Sequence, residues 1–424
     1  MNNIKAYYIS VVTIVCIALS FTTCRIDEAQ PATDLLFSTD TIYMDTMLTQ
    51  LGSPTTKFLV YNRQKKKIKI KNISLAAGVN SEYIININGM GTGAKTDVEI
   101  NPNDSIFIFI QAKLKKNNVD SLVKHDDNLI FALENKTINI PVVSWGRDAK
   151  FLSSFKVTTT TWKAGTTVLI KDSVIIDEGQ TLTIEEGANV LFKPGANLIV
   201  RGTLLVQGSI EKPVTFEGYR LQYEYRQLPG QWGSIMFENG SKNNRIKNAI
   251  IRNGANGLQI KKGATAIDME MENVLIDYMS YAGILCKAAK LNAVNCVVAN
   301  CGSYAINLTE GGDYSFTHIT VSNFSNEGKV RTTSSVYINN YSTNNSEKIP
   351  ADLKNARFEN SIIVGYNETE TETDKFSDAL FNVAFLNCII KQKKNNEYMN
   401  PACILYDSTK KLLIDSLKDF ALDT

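Results

Sequence analysis

The stretch Asn273-Val-Leu-Ile276 decides the fold, because its pattern of an asparagine, any residue and two aliphatic residues recurs through the C-terminal half of the chain. The other copies are Asn248-Ala-Ile-Ile251, Asn295-Cys-Val-Val298, Asn360-Ser-Ile-Ile363, Asn387-Cys-Ile-Ile390 and the degenerate Thr317-His-Ile-Thr320. Most copies lie 22 to 27 residues apart, and we interpret the longer step from Thr317 to Asn360 as two repeats. A period too short for two packed helices and rich in β-branched residues predicts one coil of a parallel β-solenoid per copy.

The repeated asparagines are predicted to form a structural ladder at one corner of the coil. Asparagine tolerates left-handed backbone geometry at a tight bend, and the amides of successive coils can hydrogen-bond to one another. The aliphatic residues that follow it would stack into rows that fill the interior. The members of this ladder are Asn248, Asn273, Asn295, Asn360 and Asn387.

Two domains are predicted from a change of pattern near residue 150. Residues 35–150 contain about seven short alternating strands separated by turn residues, which is typical of an antiparallel immunoglobulin-like sandwich. From residue 151 short apolar runs alternate with glycine corners such as Gly179, Gly187 and Gly195, which suits the first coils of a solenoid. We therefore expect an all-β protein in which the sandwich precedes a right-handed parallel β-helix over residues 151–424.

The N-terminal residues resemble an export signal of a bacterial lipoprotein. Lys5 is followed by an apolar run too short to span a membrane, and the run ends at Cys24. The resemblance implies that residues 1–23 are a signal peptide, that Cys24 is lipidated, and that residues 24–34 are a linker. Arg25-Ile-Asp-Glu28 resembles the charged tetrapeptides that direct such lipoproteins to the cell surface, which predicts a lipid-anchored location on the outer membrane.

The composition excludes a global electrostatic partner. The 45 basic residues nearly balance the 43 acidic ones, so no net field would recruit nucleic acid. Five cysteines follow Cys24, and Cys296 and Cys388 share a repeat position several coils apart. We interpret the five as small buried apolar residues, and not as a disulfide framework or a metal site.

The chain as a whole resembles Bacteroidetes-type surface lipoproteins with an immunoglobulin-like domain and a pectin-lyase-like β-helix. Similar proteins continue through a further turn beyond the point where this chain ends, so the β-helix is expected either to lack its C-terminal end or to have a shorter one. The stretches that carry the resemblance are Leu35–Ile42, Asp97–Ile100, Asp104–Ile106, Ser144–Ala149, Pro229–Ile235 and the asparagine repeats.

Catalytic chemistry has weak support in the sequence. A polysaccharide lyase of this fold would need a base and carboxylates that hold calcium, and the best cluster of acids is Asp268, Glu270, Glu272 and Asp277. Arg252, Lys261 and Lys262, one repeat earlier, are candidate bases. Alternating charge is also typical of a solvated solenoid face, and we favour that interpretation. We therefore expect no cofactor and no metal, with calcium only in the case of a lyase.

Aromatic residues give the other candidate site. Tyr223, Tyr225 and Trp232 lie in a loop that interrupts the repeats, and exposed aromatic rings are platforms on which sugar rings can stack. For Trp232, but not for the two tyrosines, we favour the alternative that the ring packs the loop onto the first coils. Our first hypothesis is a non-catalytic surface lipoprotein whose β-helix binds a glycan or a surface protein. The alternatives are a polysaccharide lyase and a structural or adhesive envelope protein.

Overall fold

The computed structural model describes residues 29–119, 121–263, 266–324 and 331–406. Apart from two short 3₁₀ turns, Gly78–Asn80 and Tyr223–Tyr225, every regular element in these ranges is a β-strand. None of the described residues forms a helix that could cross a membrane. The expected signal peptide and the lipidation site Cys24 lie outside the described residues.

The chain divides into two compact units. Of the described residues, the first unit contains 29–44, 50–115 and 124–145, and the second contains those from Gly146 onward together with the short segments Asp45–Thr49 and Lys116–Val123. The strands of the N-terminal region are β1 Gln30–Pro31, β2 Leu36–Phe37, β3 Ile42–Leu48, β4 Thr56–Tyr61, β5 Ile68–Leu75, β6 Tyr83–Ile87, β7 Lys95–Ile100, β8 Ser105–Ala112, β9 Val123–Ala132 and β10 Thr137–Arg147.

These ten strands form two sheets that share an apolar core. One sheet has the order β1-β5-β9-β10-β3 with β7 paired to β5, and the other has the order β2-β4-β8-β6. Phe58 of the second sheet contacts Phe131 of the first, with ring centroids 6.3 Å apart. The linker expected over residues 24–34 is partly wrong, because Gln30 and Pro31 pair with Ile68 and Lys69 of β5.

The second unit is a parallel β-solenoid, which confirms the repeat-based prediction at this level. Its strands are β11 Lys150–Leu152, β12 Phe155–Val157, β13 Thr160–Trp162, β14 Thr167–Ile170, β15 Ser173–Ile176, β16 Thr181–Glu185, β17 Asn189–Phe192, β18 Asn197–Val200, β19 Thr203–Gln207, β20 Val214–Gly218, β21 Ile235–Phe237, β22 Asn244–Arg252, β23 Asn256–Ile260, β24 Asp268–Asp277, β25 Ala282–Val294, β26 Val297–Ala299, β27 Tyr304–Thr317, β28 Thr320–Asn323, β29 Val336–Asn339, β30 Tyr341–Asn344, β31 Glu347–Pro350, β32 Leu353–Glu359, β33 Ile362–Gly365, β34 Thr371–Asp374, β35 Phe381–Leu386, β36 Ile389–Lys391 and β37 Ile404–Tyr406.

Each coil contributes one strand to each of three parallel sheets, because strands pair with the third strand along the chain in the first coils. Sheet 1 begins with β11, β14 and β17; sheet 2 begins with β12, β15 and β18; and sheet 3 begins with β13, β16 and β19. In later coils long strands such as β22 and β24 turn a corner and serve sheet 3 and then sheet 1. Only the hairpin β30–β31 is antiparallel within the described solenoid.

The repeated asparagines occupy the corner between sheet 3 and sheet 1. Asn248, Asn273, Asn295, Asn360 and Asn387 all have φ between 49° and 55°, in the left-handed region. The amide of Asn273 donates to the side chain of Asn248 at 2.8 Å, and the amide of Asn295 donates to that of Asn273 at 2.7 Å. The amide of Asn387 donates to Asn360 at 3.4 Å.

The degenerate repeat has a different register from the one we expected. His318, with φ 56°, takes the corner position that the sequence alignment gave to Thr317. Its Nε2 atom lies 3.4 Å from the amide nitrogen of Asn360. The step to Asn360 is a single coil and not two, because β28 pairs directly with β33. This coil is longer in sequence than its neighbours, because β28 ends at Asn323 and β29 begins only at Val336, and it also contains the β30–β31 hairpin.

The coil interior is filled by stacked rows of apolar side chains. In sheet 3 the rings of Phe316, Phe358 and Phe385 stack at 4.6 and 5.1 Å, and all three are fully buried. Because every interior row is continuous, each coil depends on its neighbours for burial of its apolar surface.

Candidate functional site

The outer face of sheet 2 is formed by every second residue of its strands, because the residues between them point into the core. Strands in register place one outward residue above another on successive coils, so each outward position becomes a row along the solenoid. The middle outward row consists of Ile175, Ile199, Met236, Gln259, Leu285, Asn307, Tyr337 and Glu372. This row is apolar on the early coils and becomes aromatic and polar on the later ones.

Three tyrosines form a continuous aromatic track at the polar end of this face, and we call them the tyrosine row: Tyr281, Tyr304 and Tyr337. The ring centroids of Tyr281 and Tyr304 are 5.9 Å apart, as are those of Tyr304 and Tyr337. Tyr281 is 44% exposed, and the other two are half-buried. Burial raises the pKa of Tyr304 and Tyr337, so both hydroxyls remain protonated hydrogen-bonding groups at neutral pH.

The track continues into a cluster around Asp374 on the next coil. The Tyr341 hydroxyl donates to the Asp374 carboxylate at 2.5 Å, and the Tyr337 hydroxyl donates to it at 3.3 Å. The Lys348 ammonium, from the β30–β31 hairpin, lies 3.9 Å from the centre of the Tyr341 ring and 3.7 Å from Asp374. The hydrogen bond to Asp374 is the main cause that raises the pKa of Tyr341.

Asn307 lies on the same face between Leu285 and Tyr337, and it is a polar residue with an unused acceptor. Its side chain belongs to the outward row but is only 6% exposed. Within the described residues its Oδ1 atom has no hydrogen-bond partner. A buried acceptor without a partner is costly, so Asn307 lowers the stability of this part of the solenoid.

A row of alternating charges borders the face where sheet 2 turns toward sheet 3. Arg201 and Lys261 both bind Glu238, at 3.0 and 2.7 Å. The hydrogen bond from Lys261, followed by that from Arg201, lowers the pKa of Glu238 below its ordinary value although burial opposes the shift. Lys287 binds Glu310 on later coils at 3.1 Å. Each of these two carboxylates is shared by two lysine or arginine side chains, so this border supplies hydrogen-bonding groups and a small excess of positive charge.

The loop that the sequence singled out contributes differently from what we expected. Trp232 is 2% exposed, stacks on Phe192 at 4.1 Å, and donates its indole N–H to the carbonyl of Arg252 at 2.8 Å. The favoured prediction that Trp232 packs the loop onto the coils is confirmed, and its alternative role as a ligand-binding residue is wrong, because its ring and its N–H are both used in that packing. Tyr223 is exposed, whereas Tyr225 is half-buried with the Arg220 guanidinium 4.6 Å from its ring centre.

The predicted carboxylate cluster is not one site. Glu270 and Glu272 do share the outer face of sheet 3, since Met269 and Met271 point into the core. Asp268 begins this strand and accepts a hydrogen bond from the Asn243 backbone N–H. Asp277 is separated from them by the corner at Asn273.

Asp277 has the environment of a structural residue. It is half-buried, and burial raises its pKa. Asn300 donates to its carboxylate at 2.9 Å and the backbone N–H of Tyr278 donates at 2.8 Å. Asp277 therefore holds a turn after sheet 1 and cannot join Glu270 and Glu272 around a cation.

The charges near the predicted cluster are engaged in ion pairs. Lys247 binds Glu272 at 2.9 Å, and Arg245 lies 3.7 Å from Glu270. The expected bases lie elsewhere: Arg252 binds Glu217 at 2.8 Å, and Lys261 and Lys262 belong to the charged border of sheet 2. Among the described residues no group of three or more histidines, cysteines or acids could hold a metal ion.

Sequence reasoning missed the tyrosine row because it treated outward residues of the repeats as solvated. A signal was available, since Tyr281 and Tyr304 follow the corner residues Asn273 and Asn295 by nearly the same number of positions. Tyr337 could not be aligned with them because its coil is longer in sequence than its neighbours.

Comparison with known proteins does not assign the site. No protein-family model matches the chain, and no curated protein matches it in sequence. One solved structure with a likeness is a family 123 glycoside hydrolase from Clostridium perfringens, studied for glycolipid glycan hydrolysis, with a TM-score of 0.19 and 8% identity over 28% of this chain and 26% of that one. The chain thus spans about a quarter of that enzyme, and a likeness of this size assigns neither fold nor function.

Proposed function

We propose that the solenoid is a non-catalytic binding module that displays the outer face of sheet 2 to a glycan. The observation that carries the proposal is the tyrosine row, in which three rings follow one another at 5.9 Å along successive coils. Aromatic faces stack on the apolar faces of sugar rings, while a few fixed polar groups bind the sugar hydroxyls. Asp374 and the tyrosine hydroxyls would supply those polar groups.

The arrangement of charges favours binding over catalysis. The acids that a lyase would use for calcium on sheet 3 are neutralised by Arg245 and Lys247. Next to the tyrosine row, Asp374 is neutralised by Lys348 and accepts from two tyrosine hydroxyls. A carboxylate held in this way orients hydroxyl groups well but is a poor general base.

The setting we propose is the outer membrane, with the chain anchored through a lipid on Cys24 and exposed at the cell surface. The sequence of residues 1–28 supports this location. The two-sheet N-terminal unit would act as an immunoglobulin-like spacer, and the solenoid would be a right-handed β-helix of the pectin-lyase-like type. A surface protein is the other partner that such a display surface could bind.

A glycan array with the purified chain, followed by calorimetry on any hit, tests the proposal. Tyr281→Ala and Tyr304→Ala should each weaken binding about tenfold, which corresponds to ~1.4 kcal/mol. Tyr43→Ala is the matched control, because Tyr43 is exposed on β3 and belongs to the N-terminal unit. Equal affinity of all variants, or no glycan hit, would reject the tyrosine row as a glycan site.

A second measurement separates binding from turnover. The chain is incubated with acidic polysaccharides in calcium buffer, and unsaturated products are followed by absorbance. Binding without products supports the proposal. Products that disappear on addition of a chelator would overturn the non-catalytic assignment and favour a lyase.

A further inference from the structure

Two free cysteines face each other on neighbouring coils near the end of the described solenoid. Cys388 directly precedes β36 and Cys403 directly precedes β37. Because Ile389 pairs with Ile404, Cys388 and Cys403 are opposed in the parallel register. The backbone N–H of Ile404 donates to the carbonyl of Cys388 at 2.8 Å, which fixes the two backbones against each other at this position.

The side chains of the two cysteines occupy the same row of the solenoid. Both belong to the row that follows the corner asparagines, and Cys388 is fully buried while Cys403 packs against the core and is partly exposed. Burial, with a smaller contribution from the neighbouring Cys403 thiol, raises the pKa of Cys388 to about 11. Each thiol otherwise contacts only carbonyl oxygens, such as that of Leu386 for Cys388 and that of Phe385 for Cys403.

This geometry is close to what a disulfide requires. Neighbouring strands in a sheet are ~4.8 Å apart, which lies inside the range of Cα separations that disulfides span. The other described cysteines lack such a partner: Cys286 is in register with Leu308, and in the row of Cys296 and Cys388 the intervening coils place Ile319 and Ser361 between them. All five described cysteines are free in the structure, and this pair is the place among them where two thiols are opposed in register.

We propose that Cys388 and Cys403 are a modification site that forms a disulfide in an oxidising compartment and fastens β37 to β36. The oxidant is a small-molecule disulfide. The more exposed Cys403, as thiolate, attacks it and releases one thiol; the Cys388 thiolate then attacks the Cys403 sulfur of the mixed disulfide and releases the second thiol. Two cysteine protons are lost and the small disulfide is reduced to two thiols.

The link would stabilise the last described strand of sheet 1. Among the described residues β37 is paired only with β36, whereas an inner strand such as β33 has a partner on each side. A strand held from one side frays first in a solenoid, where each coil contacts only its neighbours. The covalent link would also keep residues 389–402 closed as a loop.

The test uses the full chain in a glutathione buffer set from reducing to oxidising, followed by alkylation and peptide mass spectrometry. We expect a Cys388–Cys403 cross-linked peptide under oxidising conditions, with Cys286 and Cys301 remaining thiols. Cys388→Ser should leave Cys403 as a mixed glutathione disulfide. Two unmodified thiols in the most oxidising buffer, or links to another cysteine or another molecule, would overturn the proposal.

Limited trypsin digestion of the wild-type chain, with and without reductant, provides an independent readout that remains informative even where a variant fails to fold. Lys393 and Lys394 lie between the two cysteines in the exposed segment after β36. In the oxidised wild-type chain, cleavage there should leave the C-terminal fragment attached until reductant is added, whereas in Cys403→Ser the fragment should separate at once. Separation of the fragment from the oxidised wild-type chain without reductant would contradict the link.

Discussion

Replacement of Arg331 by methionine should destabilise the solenoid far more than any exposed ion pair can. The Arg331 guanidinium contacts both oxygens of Glu370 at 2.7 Å, and the two side chains are 2% and 0% exposed. Glu370 also accepts from the backbone N–H groups of Ser335 at 2.9 Å and Asn367 at 2.7 Å. Removing the cation leaves a buried carboxylate without its counter-charge, and the loss of one partner of such a pair costs about 3–5 kcal/mol.

The assay is urea unfolding followed by circular dichroism, with Arg357→Met as the matched control. Arg357 binds Glu359 at 2.9 Å, but its side chain is 44% exposed, so we expect its loss to cost less than ~1 kcal/mol. The double variant Arg331→Met with Glu370→Leu should cost less than the sum of the two single variants, since it leaves no isolated charge. A loss for Arg331→Met as small as that of the control would refute the reasoning.

Three further outcomes test the coil, its core and its charged border. Asn273→Ala should lower the free energy of unfolding in urea by about 2 kcal/mol, because it removes two ladder hydrogen bonds and places alanine in a left-handed backbone position. Asn273→Gly should lower it less, since glycine adopts that position without strain. Equal losses for the two variants would contradict the strain. Phe358→Ala should cost about 3–5 kcal/mol by opening a cavity between two stacked rings, and a cost below that of the asparagine change would contradict the packing. Glu238→Gln should lower the free energy of unfolding by about 1 kcal/mol at pH 7. Since the pKa of Glu238 is lowered, the stability that its carboxylate contributes is present above the ordinary value of 4.5 and is lost as pH falls through the lowered pKa. The stabilities of wild type and variant should therefore converge in acid, and a constant difference across pH would contradict this.

The sequence predicted the coil where local chemistry repeats and failed where it does not. Asn248, Asn273 and Asn295 identified the corner because a left-handed backbone position restricts the choice of residue. At His318 the rule gave a register wrong by one residue, since histidine is not the expected corner residue. The enlarged coil before Asn360 was counted as two coils, because chain length does not distinguish an inserted loop from another set of strands.

What the sequence determined by itself is the class of structure: a β-rich chain whose second part winds into a parallel solenoid with apolar residues inside. This follows from short-range properties, namely the period, the β-branched residues and the conformational freedom of asparagine. Tertiary structure alone decided that Tyr281, Tyr304 and Tyr337 come together on one face and that Cys388 opposes Cys403. Those relations depend on how successive coils are placed against one another, and loops of unequal length between the strands set that placement independently of local sequence.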